Sequence, residues 1–467
     1  MGALLIRLNC KKFDRGNTVP NISANTLRPF AAARRTFQSG EDSPRAFLER
    51  CIEVIEARDR DIKAFTVLGL DAARAAADAA TERYKNGEPL SLLDGCPVAV
   101  KDIIDTADFL TEMNSAIHKG RQPAADAACV AALKRGGAII LGKTVTTEFA
   151  CGISGPTINP HDPERTPGGS SSGSGASVGA GMTPVALGTQ TAGSVLRPAS
   201  FCGAYAIKPS IGATNLGGVS PVCPTRDHLG VLAGSLEDTW VTAHYMSHAA
   251  GPAAGQPALS GTPELPKAQK PLRLGILHFE GWKECDDATR AAFEETIKIL
   301  SDQGVEIIRP DSNQSLAAID QVAIEAERPG RDIMCYEMLW PFLAYRDQGY
   351  ELSATILGYV ENGETISPAQ YRDALEARDL MRMQVGAYSA DVDAFISPAS
   401  SGSALLGFDF TGTRTFQAPW SILGFPSLTL PHMNVDEMPF GLQVMGFGNG
   451  DGDLAAISHW IDDTLLA

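Results

Sequence analysis

The sequence predicts an α/β fold, and three observations carry that prediction. Short apolar runs of strand length (residues 97–100, 138–141 and 185–187) alternate with segments whose apolar residues recur at helical spacing. Glycine or proline stands at most of the junctions, as at Gly95, Gly136 and Gly304. The composition, 44% hydrophobic and 20% charged over 467 residues, is that of an ordinary globular chain.

In chain order, residues 1–24 show no period and read as an N-terminal extension. Ser43 followed by Pro44 is an N-cap with proline at the first helical position. Phe47, Leu48, Cys51, Ile52 and Ile55 then fall on one helical face. An Ala-rich helix follows over 72–83, and Gly95 opens a strand over 97–100 that ends on Lys101. Asp126 is placed to cap a helix through Arg135, with Gly136 as its stop, before a buried strand at 138–141.

The central stretch, residues 167–209, begins with a Gly/Ser run at 168–175. It continues through a strand at 185–187 and a turn of small residues at 188–194 to a helix start at Val195. Residues 249–271, rich in Ala, Gly and Pro, read as an exposed connection. A strand at 272–277 follows. Asp286 or Asp287 then caps a helix carrying Phe293, Ile297 and Leu300, which closes at Gly304 before a strand at 305–308. Residues 334–360 are dense in aromatics. Strands at 395–398, 426–431 and 440–446 lead to a last helix ending near Leu465, and no internal repeat is present.

Charge and cysteine usage exclude several classes. Lys+Arg number 39 against 55 Asp+Glu, a net charge of −16 with no basic run, which argues against a nucleic-acid partner. The nine cysteines are scattered, with no C-x-x-C pair, as expected of reduced thiols in a reducing compartment. Four apolar residues before Arg7 are too few for a secretory leader, and no apolar run reaches membrane-spanning length. The expectation is a cytoplasmic protein with no membrane association.

Three short motifs compete for chemistry. The segment from Gly137 to Gly142-Lys143-Thr144 fits a phosphate-loop pattern, but its middle residues Ala, Ile, Ile and Leu favour a buried strand. Gly169-Ser170-Ser171-Ser172-Gly173 fits a nucleophile elbow, which needs a strand before it, whereas HDPERTP is a proline-containing loop. His244 and His248 lie four apart without the glutamate of a zinc helix. His118, His161, His228, His278, His432 and His459 have no partners that the sequence ties to a serine. A serine nucleophile without a histidine needs another base, and a lysine serves when desolvation lowers its pKa. Lys101, closing the apolar run Val98-Ala99-Val100, is the candidate; spacing alone fits equally a strand-end lysine with its head in water.

The stretch PGGSSSGSGASVGAGMTPVALGTQTAGSVLRPASFCGAYAIKP resembles the amidase signature of serine amide hydrolases, and PVAVKDIID resembles the segment that carries their lysine. The resemblance runs from about Ser43 to Trp460 and is weakest between residues 249 and 391. It implies one large domain over 25–467, a mixed, twisted, many-stranded sheet covered by helices on both faces, with 249–391 as the variable, substrate-facing part. It implies that Ser194, in Thr189-Gln190-Thr191-Ala192-Gly193-Ser194, is the nucleophile. Ser170, preceded by a cis peptide bond, is then the bridging serine and Lys101 the base. The backbone N–H groups of Thr191, Ala192, Gly193 and Ser194 would form the oxyanion hole.

Ser172, Gln190 and Ala192 depart from the commonest residues of that pattern. Arg197 is expected to be a structural ion-pair partner, and Asp102 to orient the lysine region. The implied activity is hydrolysis of C–N amide bonds through an acyl-enzyme on Ser194, without metal or cofactor, in a monomer or homodimer. Carbamates and esters undergo the same acyl transfer. Tyr336, Trp340, Phe342, Tyr345, Tyr350 and Tyr359 are read as either core packing or a cover giving a bulky apolar acyl pocket for aryl or alkyl amides. Two other readings stand beside this one: the glutaminase component of a tRNA-dependent amidotransferase, and a non-enzymatic α/β protein binding a nucleotide or partner through its Gly loops.

Overall fold

The computed structural model describes residues 27–467, so the expected extension at 1–24 lies outside the described residues. Among the described residues eleven strands form one sheet. In chain order they are β1 (Phe65–Leu68), β2 (Pro97–Lys101), β3 (Ile139–Thr144), β4 (Val185–Gln190), β5 (Tyr205–Lys208), β6 (His228–Ala233), β7 (Arg273–Ile276), β8 (Glu306–Ile308), β9 (Ala394–Pro398), β10 (Ser427–Val435) and β11 (Met438–Met445). Their spatial order is β1-β3-β2-β4-β6-β5-β10-β11-β9-β7-β8. The sheet is mixed. β2 runs parallel to β3 and β4, and β7 to β8 and β9; the other pairs, such as β4 with β6 and β10 with β11, are antiparallel.

Both faces are covered, which is why the central strands read as continuous apolar runs rather than alternating ones. Side chains still alternate between faces. Val98 and Val100 join a core with Val130, Leu133 and Trp240, while Ala99 joins another with Val178, Leu196 and Ala199. The helices Pro44–Ile62 and Leu70–Lys85 pack Leu48, Ile52 and Ala77 against Ile139 and Leu141 of β3.

Most expected elements occur where the sequence places them. Ser43 caps Pro44–Ile62 by accepting from the Ala46 N–H at 3.2 Å, and Asp286 caps Asp287–Asp302 through Thr289 N–H at 2.8 Å. Asp126 is a correction. The helix Ala128–Arg135 has no side-chain cap, because the Asp126 carboxylate accepts from Ala107 N–H and pairs with Lys134 at 2.8 Å. The phosphate-loop pattern is absorbed by β3, with Lys143 buried within it.

The Gly/Ser run is the larger surprise, since Ser172–Gly179 is a helix with every residue buried. Glycine is required there by proximity rather than by flexibility. A Cβ at Gly173 would lie 2.2 Å from the Ala64 carbonyl oxygen and 2.5 Å from the Val145 nitrogen, both backbone atoms. Gly173→Ala is therefore expected to destabilise the fold by about 1–3 kcal/mol, read as a lower urea midpoint.

Among the described residues the eight cysteines are free thiols, and no helix is long and apolar enough to cross a membrane.

Candidate active site

Lys101 is the last residue of β2, and β4, parallel and adjacent to it, ends at Gln190 and leads into the turn 191–194. Two neighbouring parallel strands thus deliver their C-terminal ends to one edge of the sheet, where open α/β sheets place their ligands. The third segment arrives from the loop before the buried Gly/Ser helix, carrying Ser170.

Lys101 is fully buried. Its Nζ lies 2.7 Å from Ser170 Oγ, 2.9 Å from Thr189 Oγ1 and 3.5 Å from the Thr189 carbonyl oxygen. In this geometry the Nζ donates to Ser170 and Thr189; were the amine neutral, it would keep two N–H donors, which Thr189 can accept, and turn its lone pair to the Ser170 hydroxyl. Desolvation pushes the Lys101 pKa down to about 7, against a smaller opposing pull from the Asp227 carboxylate. The alternative of a strand-end lysine with its head in water is thereby excluded. Thr189, which the sequence reading passed over, is the amine's second partner.

The peptide bond Gly169-Ser170 is cis, as the resemblance implied. Ser170 and Ser194 line one cavity of about 500 Å³, together with Thr191, Ala192 and Gly193. The turn is held from behind by its carbonyls. Arg226 Nη2 donates to Thr191 O (3.2 Å), Ser421 Oγ to Ala192 O (2.7 Å), Arg197 N–H to Gly193 O (3.0 Å) and Ser171 N–H to Ser194 O (3.2 Å). In a trans peptide the C=O and the following N–H point in opposite directions. Anchoring the carbonyls of residues 191, 192 and 193 therefore turns the N–H groups of Ala192, Gly193 and Ser194 away from the scaffold. Ala192 does not adopt a positive φ, so an L-residue is accommodated in the turn without strain.

Neighbouring residues behave differently from their sequence-based roles. Asp102 pairs with Lys143 at 3.2 Å and accepts from the Glu112 and Met113 N–H groups, so it orients Lys143 rather than Lys101. Arg197 is not an ion-pair partner. It donates to the carbonyls of Thr413 (3.0 Å) and Gly169 (2.6 Å) and to Thr411 Oγ1 (3.1 Å). Ser171 is buried, with its hydroxyl 3.4 Å from the Thr189 carbonyl, and no strand precedes it. His228 places Nδ1 3.1 Å from the Gln190 carbonyl oxygen, and His244 and His248 stack on each other with ring centroids 4.0 Å apart; no histidine lines the cavity. Cys151 does line it, but burial pushes its thiol pKa up, so it is not an activated nucleophile.

The expected aromatic pocket lies elsewhere. Phe342 is buried in the core beside Phe149, Tyr345 stacks on Phe149 and meets His118, and Tyr336 stacks on Tyr371. Trp340 is 73% exposed. Of the six aromatics only Tyr359 reaches the cavity, joined by Ile153, Val222, Met334 and Phe410. Phe342, Tyr345 and Tyr350 turn toward one another and toward Phe149, which their spacing alone does not reveal.

Comparison with known proteins identifies the family. The family described as Amidase matches residues 46–454. The chain belongs to the amidase family. It is 34% identical over 436 residues to AtzE, the 1-carboxybiuret hydrolase subunit of Pseudomonas sp. (strain ADP), covering 87% of this chain and 92% of the relative. It is 31% identical to the A-type subunit of the glutamyl-tRNA(Gln) amidotransferase of Chloroflexus aggregans, covering 89% and 92%. A crystal structure of an amidase superposes with a TM-score of 0.79 at 27% identity, over 93% of this chain and 99% of that one.

Within the amidase family pattern, the departure at Gln190 now has a physical account. Its Oε1 accepts from the Val195 and Leu196 N–H groups at 2.8 and 3.0 Å, and its Nε2 donates to Ser421 Oγ at 2.9 Å. An amide both caps the helix Leu196–Cys202 and holds the serine that anchors Ala192, so a net charge is not needed there. The loop opposite, which gives the cavity Thr413, Arg414 and Thr415, is tied to Glu284. That carboxylate accepts from the hydroxyls of Ser401 (2.6 Å), Thr413 (2.7 Å) and Thr415 (3.0 Å). Glu284→Ala should raise KM about tenfold with little change in kcat, because it loosens a binding wall and not the reacting groups.

Proposed function

We propose that this member of the amidase family is a serine amidohydrolase that cleaves C–N amide bonds through an acyl-enzyme on Ser194. The observation that carries the reading is the buried Lys101 amine, 2.7 Å from Ser170 Oγ and 2.9 Å from Thr189 Oγ1 of the strand that leads into the turn bearing Ser194.

The steps follow from the protonation states. Neutral Lys101 takes a proton from Ser170 as Ser170 takes one from Ser194, and Ser194 Oγ attacks the amide carbonyl. The N–H groups of the turn 191–194 stabilise the oxyanion; one such donor is worth about 2.7–4 kcal/mol in another hydrolase. The proton returns along the same hydroxyls to the leaving nitrogen, the C–N bond breaks and the amine departs. A water then gives up its proton by the same route and its oxygen attacks the acyl carbon, which releases the acid and restores Ser194.

Residues 249–391 supply Met334, Thr355 and Tyr359 to the cavity, which supports their role as the variable, substrate-facing part of a domain spanning 25–467. With Ile153, Val222 and Phe410 they form an apolar wall suited to aryl or alkyl acyl groups, and carbamates and esters fit the same chemistry. Labelling with a fluorophosphonate followed by peptide mapping tests the reading: modification is expected on Ser194, and modification confined to any other serine would refute it.

The amidotransferase relative favours a second reading, a glutaminase that works with a partner chain. Glutamine hydrolysis that appears only when a second protein co-purifies would select it over the first.

A further inference from the structure

We propose that Asp227 is a positioning residue of the reaction: its carboxylate, tied to the turn that bears Ser194, is the counter-charge for the ammonium group that forms on Lys101 during acyl transfer. The inference rests on the reading of Lys101, Ser170 and Ser194 as a proton relay. It adds the group that answers the charge the relay creates.

β4 and β6 are antiparallel neighbours, with Thr189 opposite Leu229 and Gln190 opposite His228. Asp227, the residue before β6, therefore comes level with Thr191, just past the end of β4. Two hydroxyls of this strand end serve the two charged groups. Thr189 Oγ1 takes the Lys101 amine at 2.9 Å, and Thr191 Oγ1 donates to Asp227 Oδ1 at 2.5 Å. Asp227 Oδ2 accepts from the Val222 and Cys223 N–H groups at 2.8 and 2.9 Å. That segment is held in turn by the Glu337 carboxylate, which accepts from Thr225 N–H (3.0 Å), Thr225 Oγ1 (2.7 Å) and Cys223 Sγ (3.1 Å). Arg226, next to Asp227 in the chain, donates to the carbonyls of Thr191 and Gly330. Asp227 does not line the cavity, so it acts through Lys101 rather than by touching substrate.

The direct partners of the Lys101 amine, Ser170 Oγ, Thr189 Oγ1 and the Thr189 carbonyl, are all neutral. When the proton of Ser194 passes to Ser170 and that of Ser170 to Nζ, a positive charge appears on a fully buried group. Such a charge is costly unless an opposite one answers it. Asp227 and Cys151 are the groups whose negative charge would act on Lys101. Burial pushes the Cys151 thiol pKa up, so it carries no charge near neutrality. Burial also pushes the Asp227 pKa up, to about 6, and the Glu337 carboxylate pushes it the same way. The Thr191 hydroxyl and the Val222 and Cys223 N–H groups pull it back. Asp227 is thus ionised at the pH where Lys101 becomes neutral, and it stabilises the ammonium each time the relay delivers a proton.

The test follows phosphonylation of Ser194 by a fluorophosphonate against pH in the wild type, Asp227→Asn and Glu337→Gln. Asparagine can keep all three hydrogen bonds, its Oδ1 accepting from the two N–H groups and its Nδ2 donating to Thr191 Oγ1, so that only the charge is lost. In Asp227→Asn the inflection, near 7 in the wild type, is expected to move down by about one pH unit, the low end of the range for a nearby opposite charge. The plateau rate should fall about threefold to tenfold, because a weaker base draws the proton less well. Glu337→Gln removes a carboxylate that does not act on Lys101 and should leave the inflection in place. A residue that merely held the turn would, when changed, lower the rate at every pH without moving the inflection. The proposal is overturned if folded Asp227→Asn keeps the inflection near 7, or if Glu337→Gln moves it as far. Melting curves check folding; should Asp227→Asn not fold, Asp227→Ser carries the same expectation and the same refutation. Ser194 labelled with an unmoved inflection leaves the relay and removes the counter-charge, whereas a wild type unlabelled at Ser194 removes both.

Discussion

Ser194→Ala is expected to lower kcat by about a millionfold, the scale on which another serine hydrolase falls when its nucleophile is removed. The size follows from the arrangement of the site. Ser194 is the residue that would bond to the acyl carbon, and Ser170 is held by the Lys101 amine at 2.7 Å. Cys151, the thiol in the cavity, is kept protonated by burial and offers no substitute. Substrate binding should survive, because the turn carbonyls remain anchored by Arg226, Ser421 and Arg197. The measurement is single-turnover release of amine together with a binding isotherm. A variant that keeps normal turnover would place the nucleophile elsewhere.

Lys101→Met should cost about 10²–10⁴ in kcat, the range for loss of a positioned general base, and its effect on stability should have the opposite sign. The folded-state pKa of Lys101, about 7, lies below its ordinary 10.5. Between those values the unfolded chain holds the proton and the folded chain does not, so stability rises with pH across that window. Below pH 7 the folded protein must bury an ammonium ion, and the penalty is complete. Methionine has no proton to bury. The variant should therefore melt higher than the wild type below pH 7, with the difference shrinking as pH rises toward 10.5. Activity lost together with melting temperature gained would separate a catalytic lysine from a structural one; a fall in both would contradict the account.

The residues of the proposed site were legible in the sequence because they sit on strongly patterned elements. Lys101 ends an apolar strand, and Ser170 and Ser194 lie in Gly/Ser segments whose composition matches a family pattern. Strand boundaries followed from apolar runs bounded by glycine. What remained hidden depends on tertiary contact. Ser172–Gly179 reads as loop by propensity and is helix because its glycines let backbones approach closely. Asp126 carries a capping residue's identity but is drawn off by Lys134. Arg414 sits in a loop without periodicity, and nothing adjacent in sequence marks it as a cavity residue; only the fold brings it beside Tyr359. The aromatic run between 334 and 360 was the misleading signal, since ring density does not say which way a helix faces. An odd feature that did carry information was Gln190 in place of a charge, which became interpretable once its three hydrogen bonds were visible.

The central claim is that a neutral, buried lysine draws the proton from Ser194 through Ser170. The rate of Ser194 phosphonylation by a fluorophosphonate, followed against pH, isolates that step from any choice of substrate. The account predicts a rate that climbs with pH, bends at a single inflection near the Lys101 pKa of about 7, and stays level above it. A rate that ignores pH through neutrality, or that goes on rising to the 10.5 of an ordinary lysine, would contradict it.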